Sequence, residues 1–104
     1  MRTPEKSSGI YLPEPPEGRT ISGPVRKQIG IALEEAIEKP THENIGQLGM
    51  IYHSNTFYTE AKECYLNAIQ VNPGDWRWYY YLGYLCSELG ETENAVTYYK
   101  KVTE

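Results

Sequence analysis

Phenylalanine is nearly missing from this chain, with one in 104 residues, and cysteine occurs only twice. Two cysteines cannot staple a disulfide scaffold, so any core must come from apolar packing. No apolar run approaches the roughly 18 residues that suggest a membrane span, so no membrane partner is expected. Nor is there one long enough for a signal peptide, which makes the cytoplasm the expected compartment. Positive charge is short: 10 Lys and Arg stand against 14 Asp and Glu, for a net charge of -4. Nothing in that balance steers the chain toward a phosphate backbone, and nucleic acid is not an expected partner.

Catalytic signatures are missing as well. There is no Gly-rich phosphate loop, no Ser or Cys nucleophile with an evident base, and no carboxylate pair in an obvious cleft. His42, His53, Cys64 and Cys86 are spaced unlike any compact zinc pattern. Cys86 falls on an apolar stripe, while Cys64 reads as a half-exposed, inert thiol. Glu34, Glu35 and Glu38 read as a solvated helix face. Neither an enzyme, nor a cofactor, nor a metal site is expected. What is abundant is the amphipathic aromatic: 10 Tyr and 2 Trp.

Residues 1–23 differ from the rest. Four of the seven prolines (Pro4, Pro13, Pro15, Pro16) and three glycines lie there, with Ile10, Tyr11, Leu12 and Ile21 as the large apolar residues after Met1. Such a stretch does not offset its ordering entropy alone, and it reads as a flexible arm. Within it, Pro13-Glu14-Pro15-Pro16 favours extended polyproline II geometry.

From Pro24 the period becomes helical. Val25, Ile29, Ala32, Leu33, Ala36 and Ile37 recur at three and four until Lys39-Pro40 stops the helix. Thr41 is the next N-cap, although Asn44 stands where a capping box wants Glu. Ile45, Leu48, Gly49 and Tyr52 then line one helix face, and Ala61, Tyr65, Ala68 and Ile69 line the next. Asn72-Pro73-Gly74-Asp75 closes that pair with strong turn chemistry. Tyr79, Leu82, Gly83 and Cys86 open a second pair, Gly90 marks its turn, and Ala95, Tyr99 and Val102 complete it. Glu91 and Glu93 begin the last helix, where negative charge complements the dipole.

Leu48 and Leu82, Gly49 and Gly83, Ala61 and Ala95, Tyr65 and Tyr99 are each 34 residues apart. A fixed period of this size signals stacked two-helix units. Glycine lets the helices of a pair approach closely, alanine keeps the partner surface shallow, and tyrosine fills the space between successive helices.

On these residues the chain resembles the tetratricopeptide repeat family. Ile45, Leu48, Gly49, Tyr52, Ala61, Tyr65, Ala68 and Pro73 match its pattern over residues 42–75. Tyr79, Leu82, Gly83, Gly90, Ala95 and Tyr99 match over residues 76–104, with departures at Cys86 and Val102. The resemblance implies an all-α fold of antiparallel helix-turn-helix pairs in a short superhelix. The expected organisation is an arm over 1–23 and a helical domain over 24–104, made of a capping helix 24–39 and two repeats. The family's role implies a noncatalytic protein-interaction module that holds a peptide or protein segment on its concave face. The alternative is a structural piece of a longer array that self-associates, as a homodimer, through Tyr98, Tyr99 and Val102.

The concave face is expected to carry Gly46, Met50 and His53 from the first repeat, and Arg77, Tyr80, Tyr81 and Tyr84 from the second, with Ser87 at its edge. The family's clamp for a C-terminal carboxylate uses Lys and Asn side chains at such positions. Gly46 and Met50 stand there instead, so that ligand is not implied. Trp78 is expected to pack against the preceding helix and Tyr79 to join the core. Tyr80 and Tyr84, four apart, are the leading contact residues, since tyrosine is enriched at binding hot spots. Proline-rich segments dock on aromatic faces. The chain's own Tyr11, Leu12, Pro13, Pro15 and Pro16 are therefore expected to cross that tyrosine face in cis, or in trans in a dimer.

Overall fold

A computed structural model describes residues 11–104, and the arm expected over 1–23 lies outside it for its first ten residues. Five helices follow in order: α1 (Gly23–Glu38), α2 (His42–Ser54), α3 (Tyr58–Val71), α4 (Trp76–Glu88) and α5 (Thr92–Val102). There is no strand among the described residues, and no helix is long and apolar enough to cross a membrane. Each helix packs chiefly on its neighbours in sequence, so α2–α3 and α4–α5 form two antiparallel pairs and α1 lies on α2.

Local sequence sets the helix ends. Ser22 caps α1 by accepting from the Val25 amide at 3.4 Å, with Pro24 in the first turn, where no amide hydrogen is needed. Thr41 caps α2 through the Asn44 amide at 3.1 Å. The α1 stripe Ile29, Ala32, Leu33, Ala36 and Ile37 is buried in full. The close approach within each pair is visible at the two repeat glycines. A Cβ on Gly49 would sit 2.9 Å from Cys64 Cβ and the Tyr65 ring, and one on Gly83 would sit 2.8 Å from the Tyr99 ring.

Both pairs turn through the same hydrogen-bonded motif. At the end of α2, the Thr56 amide donates to the His53 carbonyl and the Phe57 amide to that of Tyr52. At the end of α4, Gly90 donates to Ser87 and Glu91 to Cys86. This paired pattern closes helices on a left-handed residue, usually glycine. Gly90 has φ +79°, whereas its counterpart one repeat earlier is the β-branched Thr56 at φ +62°. Thr56 holds the same turn at a conformational cost.

Several expectations change on contact with the structure. The described part of the arm is not flexible chain. Leu12 is 1% exposed and belongs to the core, and Pro13 beside it is buried. The buried Tyr52 hydroxyl donates to the Pro13 carbonyl at 2.7 Å, and the Asn67 amide donates to the Tyr11 carbonyl, also at 2.7 Å. Arg19 lies 4.6 Å over the Phe57 ring. An arm poor in apolar residues is ordered because α2 and α3 supply the apolar hole and the two donors. It therefore runs along the α2–α3 side rather than across the tyrosines of α4. Tyr52 and Met50 lie about 200° apart around α2 at 100° per residue, which puts the arm and the Met50 face on different sides of that helix. Cys64 is buried rather than half-exposed, lodged opposite Gly49. Tyr79 is only half-buried, and the ring sunk into the core is its neighbour Trp78, 2% exposed. Gly46 changes too and belongs with the site.

Candidate functional site

Gly46 does not open onto a concave surface. It is buried beneath Trp78, and a Cβ there would fall 2.1 Å from the indole Cη2. The indole N–H donates to His42 Nδ1 at 3.0 Å, so the ring is held at both ends by α2. This wedge locks α4 against the first repeat and sets where the rest of α4 points. Arg77, one residue earlier, is engaged in the same joint. Its guanidinium grips the Asp75 carboxylate, with Nη2 2.6 Å from Oδ2 and Nε 3.0 Å from Oδ1, and lies 4.9 Å over the Trp78 ring. The guanidinium holds the Asp75 carboxyl down at about 2.

Beyond that wedge, α2, α3 and α4 leave an open pocket of about 380 Å³. Its walls are Met50 and His53 from α2, Ser54 and Thr56 from the turn, Tyr58 and Tyr65 from α3, and Tyr81, Tyr84 and Glu88 from α4. Of the residues expected on the concave face, Met50, His53, Tyr81 and Tyr84 meet here. Tyr80 does not. It is turned toward the second pair, with its ring 6.3 Å from Trp76 and 6.0 Å from Tyr99. Arg77 is likewise outside the pocket, tied to Asp75 and 3.8 Å from Glu43. The Pro13 and Tyr11 carbonyls lie on Tyr52 and Asn67, so this described stretch of the arm does not line the pocket.

His53 is the hub. Its ring lies 5.9 Å from Tyr58, 5.9 Å from Tyr65 and 5.5 Å from Tyr84, while Tyr65 stacks on Tyr81 at 5.9 Å and 19°. Nδ1 is 3.0 Å from the Tyr65 hydroxyl, and Nε2 is 2.5 Å from Glu88 Oε1. Burial pushes the Tyr65 phenol up, and its hydroxyl, a donor and an acceptor at once, meets Nδ1. Both ring nitrogens are thereby engaged, Nδ1 with the Tyr65 hydroxyl and Nε2 with the Glu88 carboxylate. The bridge joins α2 to α4 across 35 residues and adds a carboxylate to a wall of tyrosines.

Sequence periodicity places Tyr65 in core packing alone and gives Tyr58, Thr56 and Ser54 no part in a site. One signal was available for Glu88. The 34-residue period superposes it on Ser54, the residue after His53, at the same open end of the helix pair.

The arrangement offers apolar area, π faces and one charge. Among the described residues no group of three or more His, Cys, Asp or Glu side chains is placed to hold a metal ion. A comparison with curated proteins finds no match. The sequence model of the tetratricopeptide repeat matches residues 42–75 and 77–104. These repeats are in general protein–protein interaction modules and typically non-catalytic. Two adjacent matches over more than half of the sequence, each falling on one antiparallel pair with its repeat glycine at the closest approach, make the chain a member of the tetratricopeptide repeat family.

Proposed function

We propose that this chain is a noncatalytic module that docks a segment of another polypeptide in the pocket between α2, α3 and α4, with Met50, His53, Tyr81 and Tyr84 as its contact surface. The observation that carries this reading is the pocket itself. It is open, its volume lies within the range of roughly 300–1,000 Å³ typical of binding cavities, and it is walled by tyrosines that combine rigid area with a polar end. Tyr84 keeps 49% of its surface exposed, whereas Tyr52 and Tyr65 of the first repeat are fully buried. Chain order supports the same reading: Trp78 and Arg77 brace α4 from beneath, so the tyrosines above it present a preformed surface, and preformed surfaces lose less entropy on binding.

Displayed random peptides selected on the wild type and re-tested on Tyr81→Ala/Tyr84→Ala check it. Families of peptides that bind the wild type and lose at least about thirtyfold in affinity on the double variant, the roughly 2 kcal/mol of one hot spot, are the expected result. Peptides that bind both proteins alike would place docking elsewhere.

A further inference from the structure

The pocket's chemistry narrows the class of side chain it takes. Its lining includes one carboxylate, Glu88, and no lysine or arginine, so an acidic group or a free C-terminus would meet no counter-charge there. The tyrosine rings present negative π faces, which attract a cation within about 6 Å of the ring centroid. His53 engages only Oε1 of Glu88, and a carboxylate accepts at both oxygens. The Glu88 side chain is one-third exposed, so its charge is reachable from solvent yet less screened than a free surface carboxylate.

We propose that the anchor taken by this pocket is an arginine side chain of the bound polypeptide, its guanidinium stacked against Tyr84 and Tyr81 and paired with Glu88. The assignment rests on the reading of the pocket as a polypeptide-docking site. Arginine fits better than lysine for a physical reason: the guanidinium is planar, weakly hydrated and able to stack on a ring while donating in its plane, whereas the ammonium is a compact and strongly hydrated charge. The chain's own arginines near this side do not fill the place, since Arg77 is committed to Asp75 and Arg19 lies over Phe57 on the arm's side.

The test uses the full 104-residue chain and three capped heptapeptides of glycine and serine that differ only at the centre: arginine, lysine, or citrulline, the uncharged isostere of arginine. Ring resonances of Tyr81 and Tyr84 are followed by NMR at millimolar peptide. The arginine peptide is expected to bind about threefold to tenfold more tightly than the citrulline peptide, the scale of one partly exposed cation–π contact together with one partly exposed ion pair. Glu88→Gln, which keeps an acceptor for His53, is expected to erase most of that preference. Tyr84→Leu changes a half-exposed side chain without emptying the core and is expected to reduce the preference from the other wall. Equal binding of arginine and citrulline peptides, with shifts still at Tyr81 and Tyr84, overturns the cation assignment and leaves docking intact. A lysine peptide that outbinds the arginine peptide, an arginine preference that survives both variants, or no shift with any peptide also overturns it.

Discussion

Gly30 and Gly46 both sit inside helices, and the same substitution to alanine should move stability in opposite directions. In an isolated helix, Gly→Ala is favourable by about 0.5–1 kcal/mol, because alanine loses less backbone entropy. At Gly30 of α1 a new Cβ meets nothing within 4 Å, so that gain should appear undiminished. At Gly46 the Cβ falls 2.1 and 2.2 Å from Trp78 Cη2 and Cζ3, carbons of a ring that is 2% exposed and tethered by its N–H to His42. The ring has no room to swing, so α4 must lift or the indole must leave its seat. Overpacking of this kind costs about 1–3 kcal/mol, and a clash this deep belongs in the upper half of that range. After the propensity gain is subtracted, Gly46→Ala should be destabilising by about 1–2 kcal/mol. In a domain of about 100 residues each kcal/mol moves the melting temperature by roughly 4–8 °C. Gly30→Ala should therefore melt a few degrees above the wild type and Gly46→Ala at least as far below it. Urea titration with tryptophan emission gives a second readout. Trp76 is 55% exposed in the native state, so a red shift of native emission in Gly46→Ala reports Trp78 leaving its seat. A Gly46→Ala protein as stable as the wild type, with unchanged emission, would refute the wedge and with it the account of how α4 is aimed.

Three further outcomes follow from the same geometry. Leu12→Ala should cost about 2–4 kcal/mol in chemical denaturation, because Leu12 is as buried as the helix cores; a loss under about 0.5 kcal/mol, the scale of ordinary surface changes, would detach the arm from the fold. Thr56→Gly should stabilise by about 1 kcal/mol by relieving the left-handed backbone of a β-branched residue, while Gly90→Ala, whose Cβ meets nothing within 4 Å, should destabilise by a similar amount through backbone strain alone; calorimetry showing both changes neutral would remove the strain argument. Asp75→Asn keeps the cap and removes the charge. Since the folded Asp75 titrates at about 2, below the roughly 3.9 of an unfolded aspartate, its contribution is complete above that value and lost as pH falls toward 2; the variant should trail the wild type by at most about 1 kcal/mol at neutral pH, and the gap should close in acid. A gap that widens on acidification would have the wrong sign for this pair.

The helices and their pairing could be read before any coordinates because both follow from local rules. Apolar spacing marks a face, Lys39-Pro40 and Asn72-Pro73-Gly74-Asp75 mark ends, and Gly49 and Gly83 mark where two rods touch. The site was legible only in part. Met50, His53, Tyr81 and Tyr84 share an offset from the core stripe, and all four line one pocket. Tyr80 and Arg77 share that offset but are drawn off, one by Trp76 and Tyr99 and the other by Asp75. Helical periodicity states which direction a side chain leaves the axis, and it is silent about which neighbour claims it first.

The 34-residue recurrence of small and bulky side chains was enough, by itself, to determine an all-α array of paired helices, since packing distance depends on side-chain size at the contact and that is written in the chain. Tertiary structure alone decided the rest. Leu12 and Pro13 are ordered because Tyr52 and Asn67, tens of residues away, offer donors to an arm that has no such partners locally. Trp78 became a wedge because His42 and Gly46 lie beneath it, and Glu88 entered the pocket because α4 is aimed so that it reaches His53. These are pairings between distant residues whose free energy exists only once both sides are in place, so no window of sequence around either partner contains them.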